Sequence, residues 1–270
     1  MRVAERLSVP PLLTGNYAFF FDFDGTLAEL KPHPDQVALA ENVRLLLQRL
    51  SEISNGALAL VSGRSMVELD ALTQPLRVAL AGVHGAERRD ARGQTHRTAL
   101  PAALMQQLRE ALSVALQALP GSLLEEKGSA FALHYRQAPQ HERAIAALAR
   151  RLVAQHPQLA LQPGKCVVEI RPAGVSKGAA IEAFMHEAPF AGRKPVFLGD
   201  DLTDESGFLA VNRRQGVSVK VGPGDTDARW RLSDVSEVHR WLKSTVQSLE
   251  ENKNLPLFKG ETDESFSRSL

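Results

Sequence analysis

The sequence predicts an α/β fold, an open parallel sheet with helices on both faces, interrupted by a second, smaller α+β domain. Three observations carry this. Short apolar runs that end in loops, "YAFFFDF", "GALALVSG" and "PVFLGDD", recur along the chain, as in strands buried on both faces. Helix-period segments separate them, which implies crossover connections and a parallel sheet. Between about residues 100 and 173 the pattern changes to two amphipathic helices and two alternating segments, the mark of an antiparallel sheet covered on one face.

In chain order, "YAFFFDF" reads as a buried strand that ends in a loop at Gly25. "ENVRLLLQRLSEIS" places Val43, Leu46, Leu47 and Leu50 on one helical face, and "GALALVSG" is a second buried strand. "SMVELDALT" opens a helix, with Ser65 and Glu68 at the spacing of a capping box. "VALAGVHG" and "GQTHRTAL" are strand-like and flank a turn at "RRDARGQ". In the middle region, helices "PAALMQQLREALSVALQAL" and "QHERAIAALARRLVAQH" separate strands "GSAFALHYRQ" and "GKCVVEIRP". Phe131, Leu133 and Tyr135 alternate with His134 and Arg136; Cys166, Val168 and Ile170 alternate with Val167, Glu169 and Arg171. "SKGAAIEAFMHEA" and "TDESGFLAVN" are helical, "PVFLGDD" is a strand, and "GVSVKVG" is the expected final strand. The expected domains are therefore a core over 1–99 and 174–250, an insertion over 100–173 and a polar tail over 251–270.

Composition narrows the function classes. The 270 residues are 44% hydrophobic and 23% charged, with 32 basic against 31 acidic side chains. Neither a nucleic-acid nor a membrane-surface partner is expected without a basic excess. No apolar run approaches the roughly 20 residues of a spanning helix. The opening "MRVAERLSVPPLL" lacks a long apolar segment, so a cytoplasmic location is expected. The one cysteine, Cys166, excludes an internal disulfide and is expected to be a small apolar residue.

The chemistry concentrates at strand ends, where open parallel sheets bind ligands. Asp22 and Asp24 close the first strand on the same side of an extended segment. Two carboxylates that close repel one another unless a cation lies between them, and Mg²⁺ is the simplest candidate. Ser62 follows "ALALV", Lys177 follows "PAGVS", and Asp200 and Asp201 follow "VFLG", with Asp204 one turn on. A nucleophile, a hydroxyl, an ammonium and a metal site suit phosphoryl transfer, which depends on positioning and charge neutralisation. Asp201 is open between a supporting partner, an alternative ligand and a cap.

"DFDGT", Ser62, Lys177 and "GDDLTD" together resemble the four motifs of the haloacid dehalogenase superfamily. The resemblance implies a Rossmann-like core with the insertion as a cap. It implies Asp22 as nucleophile and Asp24 as general acid and base, with Ser62 and Lys177 as catalytic partners. It implies Mg²⁺ held by Asp22, Asp24 through its main-chain carbonyl, and Asp200. "SGRSMVELDAL", "AGVHGAERRD", "LEEKGSAFALHYR", "CVVEIRP" and "FLGDDLTDESGF" are similar to the trehalose-phosphate phosphatase family within it. That likeness implies hydrolysis of trehalose 6-phosphate, with Glu125, Lys127 and Glu169 as cap contacts and Arg64, His84 and Arg136 as further substrate candidates. No obligate protein partner is implied. The alternatives are another capped sugar phosphatase, such as one for sucrose phosphate, a phosphorylated receiver, and a non-catalytic sugar-phosphate sensor. Asp24 and the insertion speak against a receiver.

Overall fold

The structure is a computed structural model and describes residues 8–164 and 166–254. Its larger sheet grows from β1 (Tyr17–Phe21), whose phenylalanines are fully buried on both sides. Phe19 and Phe21 face one core, and Phe20 faces the other, stacked on Phe190 with ring centroids 5.4 Å apart. Each such ring removed from water contributes about 1.5–3 kcal/mol, so β1 is held rigidly where it delivers Asp22.

From β1 the chain passes through α1 (Glu41–Ile53), β2 (Leu58–Val61), α2 (Met66–Thr73) and β3 (Ala79–Gly82). Val43, Leu47 and Leu50 of α1 are buried as their spacing predicts, while Leu46 is half-buried. The Ser65–Glu68 capping box is formed in both directions. A hairpin follows, β4 (Glu87–Arg89) and β5 (Thr95–Arg97), in which β4 runs antiparallel to β3 and β5 antiparallel to β4. The sheet is thus parallel over six strands and mixed at one edge. The link between β4 and β5 is too short for the crossover that parallel strands need, and Asp90 closes it by accepting from the Arg92 and Gln94 amides at 2.9 Å.

The middle region contributes α3 (Ala102–Leu116), β6 (Leu123–Lys127), β7 (Ala130–His134), α4 (Glu142–Gln155), β8 (Leu159–Gly164) and β9 (Val167–Pro172). These make a four-stranded antiparallel sheet of order β6-β7-β9-β8. It has two strands more than the alternation predicts. β6 and β8 are edge strands with weak apolar signals. Phe131, Leu133, Val168 and Ile170 pack against α3 and α4. Cys166 is not in a strand: it lies half-buried in the turn before β9, with φ 62°. Where the two layers meet, Val83, Ala86, Ala130 and Val175 form a small buried apolar cluster.

The chain then returns to the larger sheet with α5 (Lys177–Phe184), β10 (Lys194–Gly199), α6 (Glu205–Arg213), β11 (Val217–Val221), β12 (Trp230–Leu232) and α7 (Val235–Asn254). The strand order is β12-β11-β10-β1-β2-β3-β4-β5. "GVSVKVG" is therefore not the last strand, because β12 follows it. The last helix, α7, runs through Glu250 to Asn254, into the first residues of the expected polar tail; the rest of that tail, 255–270, lies outside the described residues. Val238, Trp241, Leu242, Val246 and Leu249 bury the inner face of α7, and that helical spacing was present in the sequence. Among the described residues, no helix is long and apolar enough to cross a membrane.

Candidate active site

Asp22 follows β1 directly, and its amide donates to the Leu198 carbonyl of β10 at 3.0 Å. This fixes the loop between the two central strands. Lys177 stands at the first turn of α5, whose N-cap Ser176 accepts from the Ala179 amide. The buried Lys177 ammonium donates to Asp22 Oδ1 and to Asp204 Oδ1, each at 2.7 Å. Burial works against its charge, but Asp204 and Asp22 outweigh it and push the ammonium upward.

Asp22, Asp200 and Asp204 bring carboxylate oxygens within 4.8 Å of one another. Burial pushes the Asp22 carboxyl well up; Lys177 pulls it down, and Asp204 and Asp200 add to the rise. Burial and then Asp204 push Asp200 up to about 6, against the pull of Lys177. Buried carboxylates so crowded resist ionising together, and a divalent cation relieves that cost. The loop is shaped for the crowding: a Cβ at Gly25, which has φ +79°, would lie 2.1 Å from Asp200 Oδ2. These residues fit a hard divalent metal ion.

Asp24 does not bring its carboxylate into this cluster. Arg64 takes it, with Nε and Nη2 donating at 2.6 and 2.7 Å. Ser62 is buried at the end of β2, where its Oγ accepts from the Arg64 amide at 3.2 Å. His84 lies in the turn after β3, and its amide donates to the Ser62 carbonyl at 2.9 Å. Asp22, Asp24, Ser62, Arg64, His84, Lys177 and Asp200 therefore gather at one end of the parallel sheet.

The smaller sheet faces this end with its polar side. The register sets Glu125 of β6 opposite Ala132 of β7, and Ala132 opposite Glu169 of β9. Lys127 Nζ lies between the two carboxylates, 3.6 Å from Glu125 and 3.5 Å from Glu169. His134 sits 2.8 Å from Glu125, and this contact holds the Glu125 carboxyl below its usual range. Glu169 is buried and meets His84 across the seam at 3.0 Å. Arg136 is set apart: it is exposed after β7 and pairs with no described residue.

Comparison with known proteins agrees with this geometry. Residues 20–236 match the trehalose-phosphatase family model. The chain is 57% identical over 268 residues to trehalose-6-phosphate phosphatase of Escherichia coli (strain K12), covering 99% of this chain and 100% of that one. The chain belongs to the trehalose-phosphatase family. The fold also matches the C-terminal domain of C. albicans trehalose-6-phosphate phosphatase (TM-score 0.75, 22% identity, 87% of this chain and 93% of that chain). A haloacid dehalogenase-like hydrolase from Bacteroides thetaiotaomicron shares it at TM-score 0.61 and 14% identity, over 87% of this chain and 98% of that chain.

Three residues of this trehalose-phosphatase family member gain a place that its sequence alone left open or unseen. Asp204 completes the carboxylate cluster and also accepts from the Asp200 and Asp201 amides at 3.0 and 2.9 Å. Asp201 is a cap, accepting from the Leu202 amide. Lys220, buried on β11, donates to the Asp200 carbonyl. A lone lysine among valines was its only sequence signal, and its place beside Asp200 depends on β10–β11 pairing.

Proposed function

We propose that this chain is a Mg²⁺-dependent phosphatase that releases trehalose and inorganic phosphate from trehalose 6-phosphate. The observation that carries the reading is the buried bridge from Asp22 through Lys177 to Asp204, beside Asp200. It combines a carboxylate nucleophile, a fixed cation and a metal-ligand set at a strand end. Identity of 57% across the whole of a relative named trehalose-6-phosphate phosphatase supports the substrate.

In this reading Asp22 attacks phosphorus and the bond to the sugar oxygen breaks, leaving an aspartyl-phosphate. Asp24 gives its proton to the departing sugar oxygen, then takes one from the water that attacks the intermediate. To act, Asp24 must exchange its two Arg64 hydrogen bonds for the substrate oxygen. Lys177 and Ser62 hold the phosphoryl oxygens, and Lys177 also keeps Asp22 aimed. Asp22, Asp200, Asp204 and the Asp24 main-chain carbonyl would hold Mg²⁺, which would neutralise charge on the transferring phosphoryl group. Residues 100–173 act as a cap, with Glu125, Lys127 and Glu169 reading sugar hydroxyls; Arg136 is the weakest candidate, being exposed and unconnected to them.

The test is phosphate release, with Mg²⁺, across a panel of disaccharide and monosaccharide phosphates. Trehalose 6-phosphate is expected to give the highest kcat/KM. A clear preference for sucrose 6-phosphate or a monosaccharide phosphate would reject this substrate while leaving the phosphatase chemistry in place.

A further inference from the structure

Arg171 is buried with most of its hydrogen-bonding capacity unused. It is 7% exposed. Its Nη2 donates to Gln162 Oε1 at 2.8 Å, while Nε and Nη1 have no acceptor among the described residues. A guanidinium carries five N–H donors and cannot shed its charge, so three donors are left without partners. Native proteins rarely bury a charge this way, because the lost hydration is not returned. The site is incomplete as it stands, and what it lacks is oxygen acceptors.

Alternation along β9 says which way these donors face. Val168 and Ile170 point into the apolar core beneath α3 and α4. Glu169 and Arg171 therefore share the opposite side. Glu169 meets His84 across the seam at 3.0 Å, so that side looks toward the larger sheet. The neighbouring strand β8 runs beside the Leu202–Asp204 turn, which carries one carboxylate of the acidic cluster. On the His84 side of the seam another buried atom, His84 Nδ1, is also without a partner among the described residues. Ala130, Ala132 and Ala160 occupy the positions between the charged side chains on this face, with Ala130 packed against Val83, Ala86 and Val175.

A polyhydroxyl ligand answers this arrangement. A hydroxyl group both donates and accepts, so a sugar can give hydrogens to Glu169 and oxygens to Arg171 at once. We infer that Arg171 is a substrate-binding residue whose Nε and Nη1 donate to hydroxyl oxygens of the sugar held against Glu169, an inference that rests on the sugar-phosphate reading above. Burial also presses the guanidinium toward its neutral form, and the pull of Glu169 does not fully offset it.

The variants to make are Arg171→Met and Arg171→Lys, each with the wild type and in an Asp22→Asn background that binds without turnover. Ligand-free Arg171→Met should unfold at the same temperature as wild type or higher, since it removes an unpaired buried charge. In the Asp22→Asn background with Mg²⁺, calorimetry should show it binding trehalose 6-phosphate about tenfold more weakly or worse, the scale of one or two charge-assisted hydrogen bonds. Arg171→Lys should recover part of that loss. A lower unfolding temperature with unchanged affinity would make Arg171 a structural residue and overturn the inference. So would a stable Arg171→Met that binds as tightly as its parent. If inorganic phosphate weakens as much as trehalose 6-phosphate, Arg171 reads the phosphate and the sugar assignment is wrong. Wild-type protein that releases no phosphate from a ligand its Asp22→Asn form binds would end the hydrolase reading, leaving the Arg171 comparison intact.

Discussion

His84 Nε2 lies 3.0 Å from Glu169 Oε2, a contact that crosses from the larger sheet to β9 of the smaller one. The imidazole is tightly placed. His84 has φ 55°, and a Cβ on Gly63 would stand 2.7 Å from its Cε1. The glycine after Ser62 thus leaves room for the ring that touches Glu169. One residue thereby connects the loop carrying Ser62 to the carboxylate proposed to read the sugar.

This pair has a pH signature. Burial pushes the Glu169 carboxyl up, but His84 and Lys127 prevail and bring it to about 2, against an ordinary 4.5. A depressed carboxyl stabilises the fold above its unfolded value and loses that contribution as pH falls toward its folded one. The window is therefore from about 4.5 down to about 2, and the full shift is worth about 3 kcal/mol. Thermal unfolding followed from pH 5 to pH 2 should show a flatter acid limb in Glu169→Gln. Identical acid limbs would mean the pair contributes nothing to stability.

Asp22→Asn should abolish turnover while the protein stays folded, since an amide is a poor nucleophile. It also removes one member of a crowded carboxylate cluster, so the metal-free variant should unfold no lower than wild type. Asp24→Asn should lose about 10²–10⁴ in kcat, the usual worth of general acid–base help. Near-native kcat on trehalose 6-phosphate in Asp24→Asn would show that its role has been misassigned.

Metal should control stability as well as rate. Mg²⁺ at the proposed Asp22, Asp200 and Asp204 site would offset their repulsion, so adding it to chelator-treated protein should raise the unfolding temperature and restore activity together. Ca²⁺ should raise stability but inhibit, because it tolerates more ligands and would engage both Asp22 oxygens. Full activity in excess chelator would remove the metal from the mechanism.

Gly178 tests the packing that aims Lys177. A Cβ there would lie 2.3 Å from the Ser206 carbonyl, where α5 crosses α6. Gly178→Ala should cost about 1–3 kcal/mol, the usual range for overpacking. It should also lower kcat, because Lys177 is the adjacent residue. A variant with wild-type unfolding temperature and kcat would show that the crossing yields without moving the ammonium.

Much of this was legible in one dimension. The apolar run at Phe19–Phe21 required a buried strand, and the carboxylates at its end required an explanation from chemistry. The Ser65–Glu68 cap and the faces of α1, α3 and α4 follow from residue spacing, which is a local property. Alternation along "VVEIRP" already separated Glu169 and Arg171 from the apolar side. What alternation could not say is what that polar side meets. It predicts a solvated face, whereas Glu169 and Arg171 are both buried against the larger sheet.

That burial is a tertiary fact, set by how two layers 85 residues apart in sequence come together at His84 and Glu169. The same holds for Lys177, whose partners Asp22 and Asp204 are 155 and 27 positions away. Asp204 read as one acid among several in "GDDLTD" until the strand order brought β10 beside β1. The sequence determined which side chains stand at strand ends and on which face, because backbone periodicity depends only on neighbours. Only the tertiary structure decided which charges share a buried space, because charges interact by distance through space and chain separation does not constrain that distance.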